Sequence, residues 1–242
     1  YKEEYMYPAR RVLNHFNANM REFIDQQRKQ GNKYGFVNFI TSNNGFTLAD
    51  LFMYNDRHNE ANGEDNLDGN SWNFSNNYGV EGPTRKHYIN KLRKLKWRNS
   101  MAMLFLAQGV PLVWSGDEIG NSQQGNNNAY CQDNPVGWVN WKNEKTHRRE
   151  IRFLKQLAQF RREHPIVANE MPFQFSDYRS YGSPDLSFHG ESAWILEPSE
   201  GRMALGMMYN GAYSTDERYT EDVYVAYNFY SAASTLALPK LE

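Results

Sequence analysis

A single cysteine, Cys131, stands among 242 residues. That count excludes an intrachain disulfide and any zinc site built from cysteine. No apolar run reaches the length of a transmembrane helix, and no signal peptide is visible. Neither sign of charge is in excess, since 27 Lys and Arg face 28 Asp and Glu. Such a balance provides no chain-wide field to draw in nucleic acid or an anionic membrane, so neither is expected as a partner. An initiator Met is missing too. The chain opens on Tyr1 and closes on Leu241-Glu242. We therefore expect a piece of a longer, cytoplasmic protein, with the last pair a cloning remnant. Aromatic residues, by contrast, are plentiful at 15%, with 16 Tyr and 6 Trp. They suit a packed core, or exposed rings on which a neutral, ring-shaped ligand stacks.

Periodicity divides the chain into alternating elements. Val12, Phe16, Met20, Phe23 and Ile24 recur at helical spacing, which predicts one helix over 9–30, stopped by Gly31-Asn32. Tyr34 to Thr41 reads as a short buried strand of the kind found in parallel sheets. A short helix over 47–55 follows, with Thr47 or Asn44 near its cap. Residues 55–83 form a long polar segment rich in Asn and Gly. Trp72, Phe74 and Tyr78 are spaced through it and argue against simple disorder. The longest helix spans 84–108, with Thr84 as its cap. Its basic run from Arg85 to Lys96 reads as a solvated face. Val110 to Trp114 is a second strand, and a second polar loop covers 121–137. A helix over 145–163 ends before Pro165. Beyond it, alternating runs such as 204–209 and 223–227 predict an antiparallel all-β tail, and a domain boundary falls near 165–172.

The first part thus holds two βα units behind a helix, too few strands for an independent sheet. Long polar loops follow both strands, whereas the connections before the strands are short. That asymmetry fits a (β/α)8 barrel, whose active site lies in the loops after the strands; a plain α/β domain with one ornate edge fits it equally. His58 and Glu60 stand at i, i+2 in a loop, a spacing that suits scaffolding better than metal binding. No metal or cofactor is expected. The amides of Asn126, Asn127 and Asn128, with the Tyr130 ring, suit a hydroxyl-rich ligand, as they suit any loop. Trp72 and Trp114 are the candidates for stacking. Asn43 and Asn44 fit a turn that caps the following helix.

Three stretches, "NFITSNNGFTLADLFMYNDRHNEANGEDNLDG" (38–69), "LAQGVPLVWSGDEIG" (106–120) and "QQGNNNAYCQDN" (123–134), strongly resemble the isoamylase-type glycogen-debranching branch of the α-amylase superfamily. The resemblance is close over 36–165 and looser across the tail. It implies that 36–41 corresponds to barrel strand seven and 110–114 to strand eight. Residues 1–168 would then be the end of a catalytic barrel, and 169–242 the start of a β-sandwich. The family hydrolyses α-1,6 branch linkages of α-glucans with retention, using a nucleophilic Asp and a Glu acid/base. A second Asp, in a His-Asp pair after strand seven, steadies the transition state. The first two acids would lie upstream of this chain. The His-Asp pair aligns with Asn43-Asn44, and an amide carries no charge to offset a developing cation. Asp117 and Glu118 match a strand-end motif in which the Glu is mostly structural.

The resemblance therefore implies the closing portion of an α-glucan debranching glycosidase, inactive alone, with glycogen, pullulan or a maltooligosaccharide as ligand. Two alternatives stay open. One is a non-catalytic α-glucan-binding or regulatory relative, favoured by Asn43-Asn44; the other is an assembly module without sugar contact. A barrel cut after strand six exposes strand edges, so a homodimer covering that edge is expected.

Overall fold

A computed structural model describes residues 3–195, 197–218 and 220–240. The expected Leu241-Glu242 remnant lies outside them. The chain divides into two compact units. One comprises Tyr1–Asn38, Phe105–Pro111 and Ala158–Glu242; the other comprises Phe39–Leu104 and Leu112–Leu157. No helix among the described residues is long and apolar enough to cross a membrane.

The first unit opens with two helices where the periodicity predicts one. Helix α1 spans Met6–Asn14 and α2 spans Met20–Gln27. Between them His15 and Asn17 take positive φ values of 60° and 40°. Asn19 then restarts the helix, because its side chain accepts the Glu22 N–H at 3.0 Å. This is an N-cap, and it interrupts an apolar stripe that continues across the break. Val12, Met20, Phe23 and Ile24 are all fully buried on that stripe.

Strands β1 (Val37–Asn38) and β2 (Val110–Pro111) pair in parallel, with Val37 opposite Val110 and Asn38 opposite Pro111. The ladder is shorter than either predicted strand. Pro111 has no N–H to extend it. Gly109 leads into β2 where a Cβ would lie 2.7 Å from both the Phe36 carbonyl and the Asn38 side chain, so no larger residue fits there without a shift.

The tail folds into an antiparallel sheet in the order β3 (Leu186–His189), β4 (Ala204–Tyr209), β5 (Val223–Asn228). Leu186 faces Tyr209 across one ladder, and Tyr209 faces Val223 across the other. Central β4 is buried along its whole length. Edge strand β5 alternates, with Val223, Val225 and Tyr227 inward. The sheet packs on α2 through Phe23, which meets the rings of Tyr227 and Phe229 edge-on at 5.5 and 5.7 Å. A buried polar relay crosses the same contact. Tyr5 donates to Gln27 at 3.0 Å, and Gln27 donates to the Tyr227 hydroxyl at 2.8 Å.

The two long helices match their predicted spans closely. Helix α3 covers His87–Phe105 and α4 covers Arg148–Glu163, the latter preceded by a separate 3-10 turn at Trp141–Lys145. One side chain closes the end of α3. The Arg161 guanidinium donates to the carbonyls of Phe105 and Ala107 at 2.6 and 2.5 Å, and to those of Gln108 and Gly109 at 3.2 and 2.6 Å. A helix end leaves such carbonyls unpaired and carries partial negative charge, so one cation with a planar fork of donors answers both needs.

Arg161→Ala would strand four acceptors, and we expect a loss of roughly 2–4 kcal/mol in urea unfolding. Arg161→Lys should recover less than half of it, because an ammonium cannot span four carbonyls. Equal stability of the alanine variant and the parent would refute this role.

Candidate functional site

The site lies in the second unit, in the loops that leave the two strands. Its frame is a pair of buried acids. Asp117, 1% exposed, accepts the Leu48 N–H at 2.8 Å and the Thr41 hydroxyl, so it ties the end of the β1 segment to the turn that follows. Its backbone carbonyl accepts the Trp97 indole N–H at 2.9 Å. Asp50, 0% exposed, accepts the Ser122 hydroxyl at 2.5 Å and the Gln123 N–H at 2.7 Å. It sits in a 3-10 turn, Asp50–Phe52, and Thr47 caps that turn by accepting the Asp50 N–H at 3.2 Å. The predicted helix over 47–55 is this single turn. Burial pushes the Asp50 carboxyl up to about 6 against the pull of its hydrogen-bond donors.

The 55–83 segment has almost no regular structure, yet side chains order it throughout. Arg93 is 7% exposed and donates to the carbonyls of Gly82 (2.8 Å), Asn77 (2.8 Å) and Val80 (2.6 Å). The solvated-face expectation therefore fails at this position: one cation of the run points inward to serve the loop. Glu81 accepts the N–H groups of Asn55 and Asp56 and meets the His58 Nε2 at 3.2 Å. His58 and Glu60 go separate ways, since Glu60 accepts from Asn66. Among the described residues no three His, Cys, Asp or Glu converge to hold a metal.

Three loops meet at Asn127, which is fully buried. Its amide donates to the Asn70 carbonyl at 2.7 Å and to Asn73 at 3.0 Å, and it accepts from Asn59 at 2.9 Å. Its backbone N–H donates to Asn59 at 2.9 Å, and its carbonyl accepts the Gly45 N–H at 3.0 Å. A Cβ at Gly69, where φ is +78°, would fall 2.2 Å from the Asn127 side chain. Asn126 is also buried and donates to Asn62 at 2.9 Å. These two amides are spent inside the protein, so they shape the floor of the site and do not face solvent. Asn128 is half-buried and donates to Asp68 at 2.8 Å.

The remaining candidates are at or near the surface. Asn43 and Asn44 are exposed, and neither side chain is hydrogen-bonded within the described residues. Trp72 is 70% exposed and stacks against Phe74 with ring centroids 6.4 Å apart. Phe74 holds φ at +48°, a strained setting for a bulky side chain. Tyr130 is 69% exposed, and its hydroxyl donates to Glu64 at 2.6 Å. Trp114 is half-buried, and its carbonyl closes the turn to Asp117 at 3.0 Å. Chain order and the Asn127 junction join the 43–45 turn, the 70–73 stretch and the 126–128 run. Sequence reasoning missed the organising residues Asp50, Asn59 and Arg93. A lone acid inside the apolar turn Leu48-Ala49-Asp50-Leu51-Phe52 was the available signal.

Loss of the junction should loosen the loops before it unfolds the unit. Asn127→Ala is expected to cost roughly 2–4 kcal/mol, since it leaves several buried partners unpaired. It should also open 55–83 to limited proteolysis; an unchanged digestion pattern would count against the hub. Asp50 has its own pH signature. Its folded-state pKa lies above the unfolded value, so the stability it contributes is complete below about pH 4 and is lost as pH rises through about 6. Relative to Asp50→Asn, the parent should lose roughly 3 kcal/mol between those limits. A difference independent of pH in paired urea titrations would rule this out.

No protein-family model matches the chain. The glycogen operon protein GlgX homologue of Mycobacterium bovis is 44% identical over 144 residues, covering 60% of this chain and 20% of that protein. Chloroplastic isoamylase 1 of Arabidopsis thaliana is 37% identical over 205 residues, covering 84% of this chain and 24% of that protein. The chain thus spans about a fifth to a quarter of the length of these curated relatives. Among solved structures, the pullulanase of Paenibacillus barengoltzii in complex with maltohexaose and α-cyclodextrin aligns with a TM-score of 0.52 and 18% identity. That alignment covers 84% of this chain and 24% of the pullulanase. The likeness at that identity is one of fold, while the curated relatives carry the sequence kinship. Over the residues these matches cover, the chain is similar in sequence to isoamylase-type glycogen-debranching enzymes.

Proposed function

We propose that this chain is the closing portion of an α-glucan debranching glycoside hydrolase and is inactive by itself. In this assignment β1 and β2 are the seventh and eighth strands of a (β/α)8 barrel within residues 1–168. Residues 169–242 begin a β-sandwich domain. The observation that carries the proposal is the parallel β1–β2 pair, from whose ends ordered polar loops run to exposed Asn43, Asn44, Trp72 and Tyr130. Kinship to glycogen-debranching proteins and a fold shared with a maltohexaose-bound pullulanase support an α-glucan as ligand.

Retaining hydrolysis needs two carboxyl groups flanking the scissile bond, one to attack and one to donate and recover a proton. Asp50 and Asp117 are buried and bonded to the loops they hold, so neither presents a free carboxylate. The resemblance to the debranching family implies that the nucleophile and the acid/base follow strands four and five of the complete barrel, upstream of this chain. Asn44 occupies the position of the third carboxylate. It can bond a sugar hydroxyl but supplies no charge. Trp72 and Tyr130 offer exposed ring faces, and half-buried Asn128 and Trp114 are the further candidates for contact with the glucan. The neutral Asn43-Asn44 pair also favours a second assignment, a glucan-binding relative that does no chemistry. An Asp and a Glu after strands four and five of the complete polypeptide would distinguish a weakened enzyme from that relative. With β1 and β2 alone in the parallel sheet among the described residues, the chain is also assigned to a homodimer that covers the open edge.

The purified chain should release no reducing sugar from glycogen or pullulan. Maltohexaose should nevertheless change its tryptophan fluorescence, and Trp72→Ala should weaken that binding by roughly tenfold, the worth of one stacked ring. Unaided hydrolysis would overturn the inactive assignment. An absence of any response to maltohexaose would favour a purely structural role.

A further inference from the structure

The chain contains three Asn-Gly pairs, Asn44-Gly45, Asn62-Gly63 and Asn210-Gly211. An Asn-Gly bond is chemically labile because glycine puts no Cβ in the way when its backbone nitrogen attacks the asparagine Cγ. Whether a folded protein permits the attack depends on the freedom of both groups, and the three pairs differ in only one of them. All three glycine N–H groups are engaged: Gly45 with the Asn127 carbonyl at 3.0 Å, Gly63 with the Glu60 carbonyl at 3.2 Å, and Gly211 with Asp222 at 2.8 Å.

The asparagine side chains are treated differently. Asn62 donates to Asp68 at 2.7 Å and to the Asn128 carbonyl at 3.0 Å, and it accepts from Asn126 at 2.9 Å and Gln132 at 2.8 Å. Asn210 is 6% exposed, donates to Ser183 at 2.8 Å and accepts the Ala212 N–H at 2.9 Å. To bring either Cγ onto the next nitrogen, every one of these bonds must break. Asn44 is exposed, and its amide has no hydrogen bond to lose within the described residues. Within the described residues its backbone is tied only to the Ser42 hydroxyl at 3.3 Å.

We propose that Asn44 is a site of spontaneous deamidation in the folded protein, selected over the other two pairs by the freedom of its side chain. The Gly45 nitrogen gives up its proton and bonds to the Asn44 Cγ. The Cγ–Nδ2 bond then breaks and ammonia leaves. Water opens the resulting succinimide at one carbonyl or the other, which yields aspartate or isoaspartate. Either product adds one negative charge to a rim that carries two neutral amides in the unmodified chain. The isoaspartate also lengthens the backbone by one methylene beside Gly45, whose φ of +119° and bond to Asn127 hold the turn. The proposal stands on this geometry whether or not the rim binds glucan.

The test is a peptide map of the intact chain aged at mildly alkaline pH, with a parallel sample aged in concentrated urea. Fragment spectra separate Asn44 from its neighbour Asn43. In the folded sample the one-dalton gain should accumulate at Asn44 at least roughly tenfold faster than at Asn62 or Asn210, since each held amide must first surrender two or more hydrogen bonds. In urea the three sites should converge, because only the shared Asn-Gly sequence remains. Asn44→Gln should abolish the acidic species that ion exchange resolves in the aged folded protein. If the folded chain converts Asn62 or Asn210 as fast as Asn44 while the urea sample reacts at all three, the proposal is overturned.

Discussion

The second unit depends on burying polar side chains so that they do the work of absent secondary structure. Between residues 53 and 86, and again between 112 and 147, there is no strand and only short 3-10 turns. Backbone groups in such segments would ordinarily turn to water. Here Asn127 gathers three segments through five hydrogen bonds while fully buried. Arg93 closes a fourth stretch at its carbonyls. An amide is well suited to this position. It donates twice, accepts twice, and carries no charge whose desolvation must be offset. The two acids used in the same way, Asp50 and Asp117, do carry that cost, and the raised pKa of Asp50 is its visible sign.

This economy constrains what the site can do. A loop fixed by side-chain hydrogen bonds presents its outer residues in one geometry, which suits recognition of a ligand with many hydroxyl groups. The strained φ at Phe74, beneath the exposed Trp72, is consistent with a loop held in place by its surroundings. The acids that hold the loops, however, are withdrawn from chemistry. Asp50 and Asp117 are the first carboxylates along the chain after β1 and β2, yet each is committed to donors on the neighbouring segment.

Much of the architecture was legible in the residues. Helices α3 and α4 announced themselves by long apolar periodicity, and β4 and β5 by alternation between turn residues. The break between α1 and α2 was not, because an apolar stripe runs across it. Only the Asn19–Glu22 cap and the left-handed His15 reveal it. Strand ends were overextended because a ladder needs a partner, and Pro111 withholds the next donor. The Asn126–Asn128 run shows a deeper limit. An amide that binds a sugar and an amide that binds its own backbone are the same residue in the same kind of loop. Exposure alone separates them, and that is a property of the fold.

Asn43 and Asn44 sit at the opposite extreme from Asn127. Within the described residues they are exposed amides with no side-chain hydrogen bond, whereas Asn59, Asn62 and Asn127 are spent on holding the loops. If they served only the turn, their side chains would be expected to bond nearby backbone, as Asn19, Asn140 and Asn210 do at their caps. They do not; the turn is held by Ser42, by the Gly45–Asn127 bond and by the Thr47 cap. A side chain that the fold does not use, in a loop that the fold holds still, is available to something outside the chain. For a hydroxyl-rich ligand two such amides give direction without charge. For an oxocarbenium-like transition state direction is insufficient, because stabilising a developing cation requires a negative charge that strengthens as the bond breaks. The same two residues therefore argue for binding and against a full contribution to catalysis.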